Sequence, residues 1–413
     1  YQERQPLSRR GKKGNKEKKS MTKRFLYAIL YTAGYARTSA EGRELLKKMS
    51  RHRRSALINA LVIIGTLGIV LYLGSRDGGL NNAWNTMRSA DWRWLLAAVG
   101  SWLVFMIFEG MGLHVFFRYQ NIQIRFGTSF LVALIGAFYS AVTPAATGGQ
   151  PMQVIALKKR GIPAGISSSG LAVKFFTFQT ALLSLGGLLW LTNADTVRAC
   201  VAPVGIWFVI LGFFLNGLTV VAVVLLAINK NIVKGILSLT VRLARKLRLV
   251  KNEAKVNARM EKAMADFHAS VDLLKNHPAR LLKLYLVSCV QVLGLMSITY
   301  CIYRSLGMQE MSYLGIITLQ FLLYIGASFT PLPGASGAQE EGFDLVFGKV
   351  FQNKNGFGAQ LMWRFFTYYI TLIIGLVAVI FNSAGSIRRA SQEAEAALSA
   401  RDDVPEEENK EEA

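Results

Sequence analysis

Long apolar runs with one charge or none alternate along this chain of 413 residues with short segments crowded with Lys and Arg. A run of about 20 apolar residues is what a helix needs to cross the hydrocarbon core of a bilayer. Ser55 to Gly74 is the first such run, entered through Arg51, Arg53 and Arg54. Leu95 to Phe117, Ala164 to Leu191, Gly205 to Ile228, Leu281 to Tyr303 and Phe357 to Phe381 supply five more. Phe25 to Tyr35 is apolar but too short to cross and reads as an interfacial helix. Leu80 to Trp94 is amphipathic, and its Trp84, Trp92 and Trp94 suit a membrane interface.

Two apolar segments do not fit a series of simple spans. Ser129 to Val142 stops at Thr143-Pro144, and a helix of that length rises only about 21 Å. The chain then runs Thr143-Pro-Ala-Ala-Thr-Gly-Gly-Gln-Pro151, a poor helix interior, before apolar Met152 to Leu157 and basic Lys158-Lys-Arg160. Tyr313 to Phe329 likewise stops at Thr330-Pro-Leu-Pro-Gly-Ala-Ser-Gly-Ala-Gln-Glu-Glu-Gly342, followed by Phe343 to Phe351. Both read as helix, broken tip, helix. Non-helical backbone at membrane depth must be buried in protein or face a wet cavity, so two re-entrant hairpins are expected. The simpler alternative is that Pro and Gly kink two ordinary spans.

The basic clusters discriminate between these topologies, since cytoplasmic loops collect Lys and Arg. With the N-terminal segment inside, six spans and two hairpins bring Arg118, Arg125, Lys158 to Arg160, the stretch 229–280 and Arg388-Arg389 to one side. If the two short segments crossed instead, 229–280 would fall outside. The expected fold is therefore an all-α polytopic membrane protein of about six full transmembrane helices plus two re-entrant hairpins, with both termini in the cytoplasm. It divides into a basic segment (1–54), a transmembrane domain (55–385) and an acidic, partly disordered tail (386–413). Span, hairpin and span over 95–191 recur with opposite orientation over 281–381, and the cytoplasmic linker 229–280 joins the two halves. Inverted repeats with broken helices mark many secondary transporters.

Composition sharpens this reading. Hydrophobic residues make up 52% of the chain and charged ones 18%, against about 25% charged in a soluble domain. A soluble enzyme is thereby excluded. The net charge of +23 sits beside apolar spans, where anionic headgroups explain it better than nucleic acid. Three cysteines without a CxxC pair and four scattered histidines support no metal site and no cofactor. No GxSxG, HExxH or P-loop pattern suggests catalysis or nucleotide binding.

Ionisable residues inside spans are costly and need a partner or a task. Glu109 lies in the second span, Lys174 near the middle of the third, Glu340 and Glu341 after the second tip, and Arg364 in the last span. One reading is an electrostatic site: Lys174 and Arg364 hold a phosphate, backbone N–H groups near Gly148 and Gly337 assist, and Glu109 or Glu340 balances the charge. The other is a set of structural ion pairs, such as Glu340 with Arg364.

The segment Phe138-Tyr-Ser-Ala-Val-Thr-Pro-Ala-Ala-Thr-Gly-Gly-Gln-Pro-Met-Gln-Val-Ile-Ala-Leu157 resembles the first signature of the lysylphosphatidylglycerol synthase transmembrane region, or flippase-like domain. Thr330-Pro-Leu-Pro-Gly-Ala-Ser-Gly-Ala-Gln-Glu340, with Trp363-Arg364, resembles the second. The resemblance covers roughly 55–385. It implies movement of an anionic or aminoacylated phospholipid between leaflets of the bacterial inner membrane, and with it resistance to cationic peptide antibiotics. Carried over by position, it points to Thr143, Pro144, Gly148, Gly149, Pro331, Gly334, Gly337, Glu340 and Arg364. The family name also implies a rival activity, transfer of lysine from lysyl-tRNA to phosphatidylglycerol. The 229–280 stretch is too short for a transferase domain of ordinary size, so that activity would need a separate synthase as partner. A membrane scaffold that recruits partners through 229–280 and the tail is a third reading.

Overall fold

A computed structural model describes residues 79–229, 235, 253–351 and 356–382. The interfacial helix at 25–35, the first span at 55–74 and the acidic tail lie outside the described residues. Among the described residues the structure is all helical, and five helices are long and apolar enough to cross a membrane.

Numbered from the first described helix, α1 is Gly79–Ser89, α2 Trp92–Tyr119, α3 Phe126–Val142 and α4 Gly149–Lys158. Then come α5 Ala164–Thr192, α6 Ala194–Cys200, α7 Pro203–Ile228 and α8 Glu253–Lys275. The series closes with α9 Pro278–Ser305, α10 Tyr313–Ala327, α11 Ala338–Phe351 and α12 from Gly356 to Asn382. The five long apolar helices are α2, α5, α7, α9 and α12, each within a few residues of the run expected for it.

Local chemistry sets several of these ends. Asp91 caps α2 by accepting the Arg93 N–H at 2.9 Å, and so separates it from amphipathic α1. Pro203 and Pro278 occupy first-turn positions of α7 and α9, where the missing N–H has no partner to lose. Ser312 caps α10 through the Gly315 N–H.

α3 and α10 hold 17 and 15 residues, short of the ~30 Å core. Each breaks at the expected Thr-Pro into a single 3₁₀ turn, Pro144–Ala146 and Pro333–Ala335, before α4 and α11 begin. α9 packs on α2, and Gly294 permits it. A Cβ there would meet the Phe105 nitrogen at 3.0 Å and the Ser101 carbonyl at 3.2 Å. Small residues serve this role between membrane helices, where the hydrophobic effect contributes little to association.

Contacts at the helix ends fall into two sets. Asp91 donates its N–H to the Ser305 carbonyl at 2.8 Å, Ala202 to Leu345 at 3.2 Å, and Lys349 Nζ reaches the Ala199 carbonyl at 2.8 Å. In the other set, Gln120 Nε2 donates to the Ser270 carbonyl at 3.2 Å and Gly165 lies against Ala263 and Asp266 of α8. There too Arg160 reaches Asn382 Oδ1 at 2.7 Å. The segments just before α3 and just after α4 thus both lie beside α8.

Candidate functional site

Thr143 builds the first tip. Its backbone is extended, and its hydroxyl donates to the Tyr139 carbonyl at 2.6 Å while accepting the Gly148 N–H at 2.9 Å. That pair of bonds closes the loop from the end of α3 to the start of α4. Ala145 and Ala146 inside it take φ of 50° and 54°, a left-handed conformation that costs an L-residue about 1–2 kcal/mol. α4 then folds back along α3 so closely that a Cβ on Gly149 would meet the Gly136 carbonyl at 2.8 Å.

At the second tip a carboxylate takes the role that Thr143 has in the first. Glu340 sits three residues after Gly337 and reaches back to accept its N–H on Oε2 at 2.6 Å, the geometry of a capping-box acid. Oε1 of the same carboxylate accepts from Arg364 Nε at 2.6 Å. Both terminal nitrogens of Arg364 donate to the Gly334 carbonyl, at 3.2 and 3.1 Å. Gly334 and Gly337 have φ of 62° and 89°, and a glycine tolerates that region without strain. Glu340 and Arg364 are 6% and 4% exposed. The guanidinium also lies 5.6 Å from the Trp363 ring centre and 5.3 Å from that of Tyr368, within cation–π range.

The two tips touch one another. Tyr368 reinforces the junction, its hydroxyl donating to the Ala141 carbonyl at 3.1 Å while its ring packs on Gly334. It stands in a single π-helical turn, Phe365–Tyr369, that follows Arg364 directly. Such turns are frequent at functional sites because they re-aim side chains. Pro144 to Thr147, Pro331 and Leu332 stay exposed around the junction, in contrast to the buried ion pair.

Lys174 belongs to a second polar cluster. Its ammonium donates to Glu109 Oε1, and Gln291 Nε2 donates to Glu109 Oε2 at 2.6 Å. One carboxylate thereby ties α2 to α5 and α9.

The expected site residues therefore divide. Thr143, Gly148, Gly149, Gly334, Gly337, Glu340 and Arg364 build the two touching tips. Lys174 and Glu109 pair with each other, and no shared hydrogen-bond partner joins Lys174 to Arg364. Glu341 is exposed and joins neither pair. The Gly148 and Gly337 N–H groups, offered by sequence reasoning to a phosphate, are taken by Thr143 and Glu340. Gln291 and Tyr368 went unnoticed. Gln291 carries one signal, a lone amide in an apolar span, whereas Tyr368 is one of many aromatic residues and carries none. Among the described residues no group of His, Cys, Asp and Glu could hold a metal.

Comparison with known proteins places the chain among membrane proteins. The family model described as lysylphosphatidylglycerol synthase TM region matches residues 57–375. A UPF0104 membrane protein of Archaeoglobus fulgidus is 25% identical over 305 residues, covering 72% of this chain and 89% of the relative. A second UPF0104 membrane protein, from Pyrococcus horikoshii, is 22% identical over 333 residues, covering 78% and 96%. With its apolar helices and this match, the chain is a multi-pass membrane protein and belongs to the lysylphosphatidylglycerol synthase transmembrane-region family.

Proposed function

We propose that the chain carries an anionic or aminoacylated phospholipid between the leaflets of the cell's inner membrane, with the two touching tips as its substrate site. Segments 120–142 with 149–160, and 313–327 with 338–351, are re-entrant hairpins in this reading, entering from opposite sides. The shared neighbourhood of Gln120 and Gly165 beside α8 supports the first hairpin. Contacts of Asp91 with Ser305, and of Ala199 and Ala202 with α11, support the second. The end that carries Arg118, Arg125, Lys158 to Arg160 and α8 is then cytoplasmic, as are both termini.

The observation that carries the proposal is Glu340. Its carboxylate occupies an anion position, between the first N–H of a broken helix and a buried guanidinium. A lipid phosphate offers the same charge and the same acceptor oxygens. Substrate would exchange with Glu340 for Gly337 N–H and Arg364, loosening the second tip as it binds and restoring the pair as it leaves. Thr143, which closes the first tip with an uncharged hydroxyl, makes no such competition. The Glu109–Lys174–Gln291 cluster would hold α2, α5 and α9 together beside the moving tips.

Leaflet exchange of labelled phosphatidylglycerol and of its lysyl derivative, in liposomes containing the full chain, tests this. Exchange faster than in protein-free liposomes is expected. Lysine transfer from lysyl-tRNA to phosphatidylglycerol by the purified chain, without such exchange, would replace the proposal by the rival activity.

A further inference from the structure

An open groove of about 290 Å³ runs between α5 and α9, away from the tips. Phe176, Thr177 and Thr180 of α5 form one wall; Leu281, Leu282 and Tyr285 of α9 form the other, and Pro278 closes one end. Leu282 is 57% exposed on its rim, so the groove opens on the outer surface of the helix pair.

Its few polar side chains are hydrogen-bonded within the helix pair. Thr177 Oγ1 accepts from Ser288 Oγ at 2.9 Å and donates to the Lys174 carbonyl at 3.1 Å. Thr180 Oγ1 donates to the Phe176 carbonyl at 2.8 Å, and the Tyr285 hydroxyl is 2.7 Å from Ser184 Oγ. The rest of the lining is hydrocarbon, which favours an apolar occupant. The Pro278 end lies beside α8, at the end of the bundle where basic residues gather. Lys275 and Lys283, both exposed, flank Pro278 in sequence. Cationic side chains at such a level attract anionic headgroups.

We infer that the groove between α5 and α9 binds an acyl chain of an anionic glycerophospholipid, whose phosphate rests at the basic end near Pro278. The lipid is a bound component of the bilayer leaflet on that side. The site requires only that α5 and α9 span a bilayer, so it stands or falls separately from lipid transport.

The test is photolabelling of the full chain in liposomes with phosphatidylglycerol bearing a photoreactive acyl chain, adducts being mapped by mass spectrometry. Adducts are expected to concentrate on the groove walls. Leu281→Trp, which fills the groove, should cut them about tenfold, whereas Leu218→Trp on α7 leaves them unchanged. Thr180→Leu fills the same space from α5 and decides the matter if Leu281→Trp does not fold. Phosphatidylcholine with the same chain should label several-fold less. Equal labelling by phosphatidylcholine or by a photoreactive fatty acid would overturn the anionic phospholipid. Adducts spread evenly over α7 would reduce the groove to ordinary annular contact. Crosslinks between two copies through α5 and α9, in place of lipid adducts, would make it a protein interface and refute the inference.

Discussion

Arg364 is held by four acceptors and faces at once, and its removal strands a buried carboxylate. Breaking a buried ion pair from one side costs about 3–5 kcal/mol, so Arg364→Gln should lower the thermal midpoint of the detergent-solubilised protein sharply. Glu340→Gln removes the charge while keeping an acceptor for the Gly337 N–H, and should cost less. The double variant should cost less than the sum of the two, because it removes both buried charges, whereas each single variant leaves one unpaired. Additive losses would show that the two groups do not interact. Thr143 permits a cleaner test at the first tip. Thr143→Val leaves the Gly148 N–H unpaired, a loss of about 1–3 kcal/mol, whereas Thr143→Ser keeps both hydrogen bonds and should stay near wild type.

Among the elements, the short helices α3 and α4 depend on close backbone approach. Gly149→Ala forces them apart and should destabilise the protein by about 1–3 kcal/mol, as overpacking does. Gly100→Ala on α2 meets nothing within 4 Å and should be neutral or stabilise slightly. Sidedness checks the hairpins themselves. In a background lacking Cys200, Cys289 and Cys301, Asn121→Cys and Lys159→Cys should react with an impermeant thiol reagent from the same side of the membrane. Labelling from opposite sides would make α3 and α4 a crossing. The elements were largely legible in advance, since length, Thr-Pro stops and first-turn prolines are local signals. The partners were not. Glu109 and Lys174 stand 65 positions apart, and only the rotation of α2 and α5 about their axes decides that they meet. The same limit applies to Arg364, which the sequence offered equally to a phosphate and to Glu340.

At the scale of the whole molecule, a frame of long helices adjoins two meeting tips. Helices α2, α5 and α9 share one half-buried carboxylate, while the tips are closed by single side chains, Thr143 and Glu340. The proposed site thus lies where the backbone is least regular, and where the Gly and Pro pattern was legible in the sequence but the capping bonds were not. Leaflet exchange of phosphatidylglycerol and its lysyl derivative, measured with bulky substitutions at the exposed tip positions Thr147 and Leu332, tests this placement. Thr147 and Leu332 are both exposed, so the fold should tolerate Thr147→Trp and Leu332→Trp. The account predicts that the wild type exchanges one of these lipids faster than empty liposomes do. Either tip variant should slow that exchange about tenfold, and Leu218→Trp should not. Exchange that ignores both tip substitutions, or a wild type no faster than empty liposomes for either lipid, would contradict it.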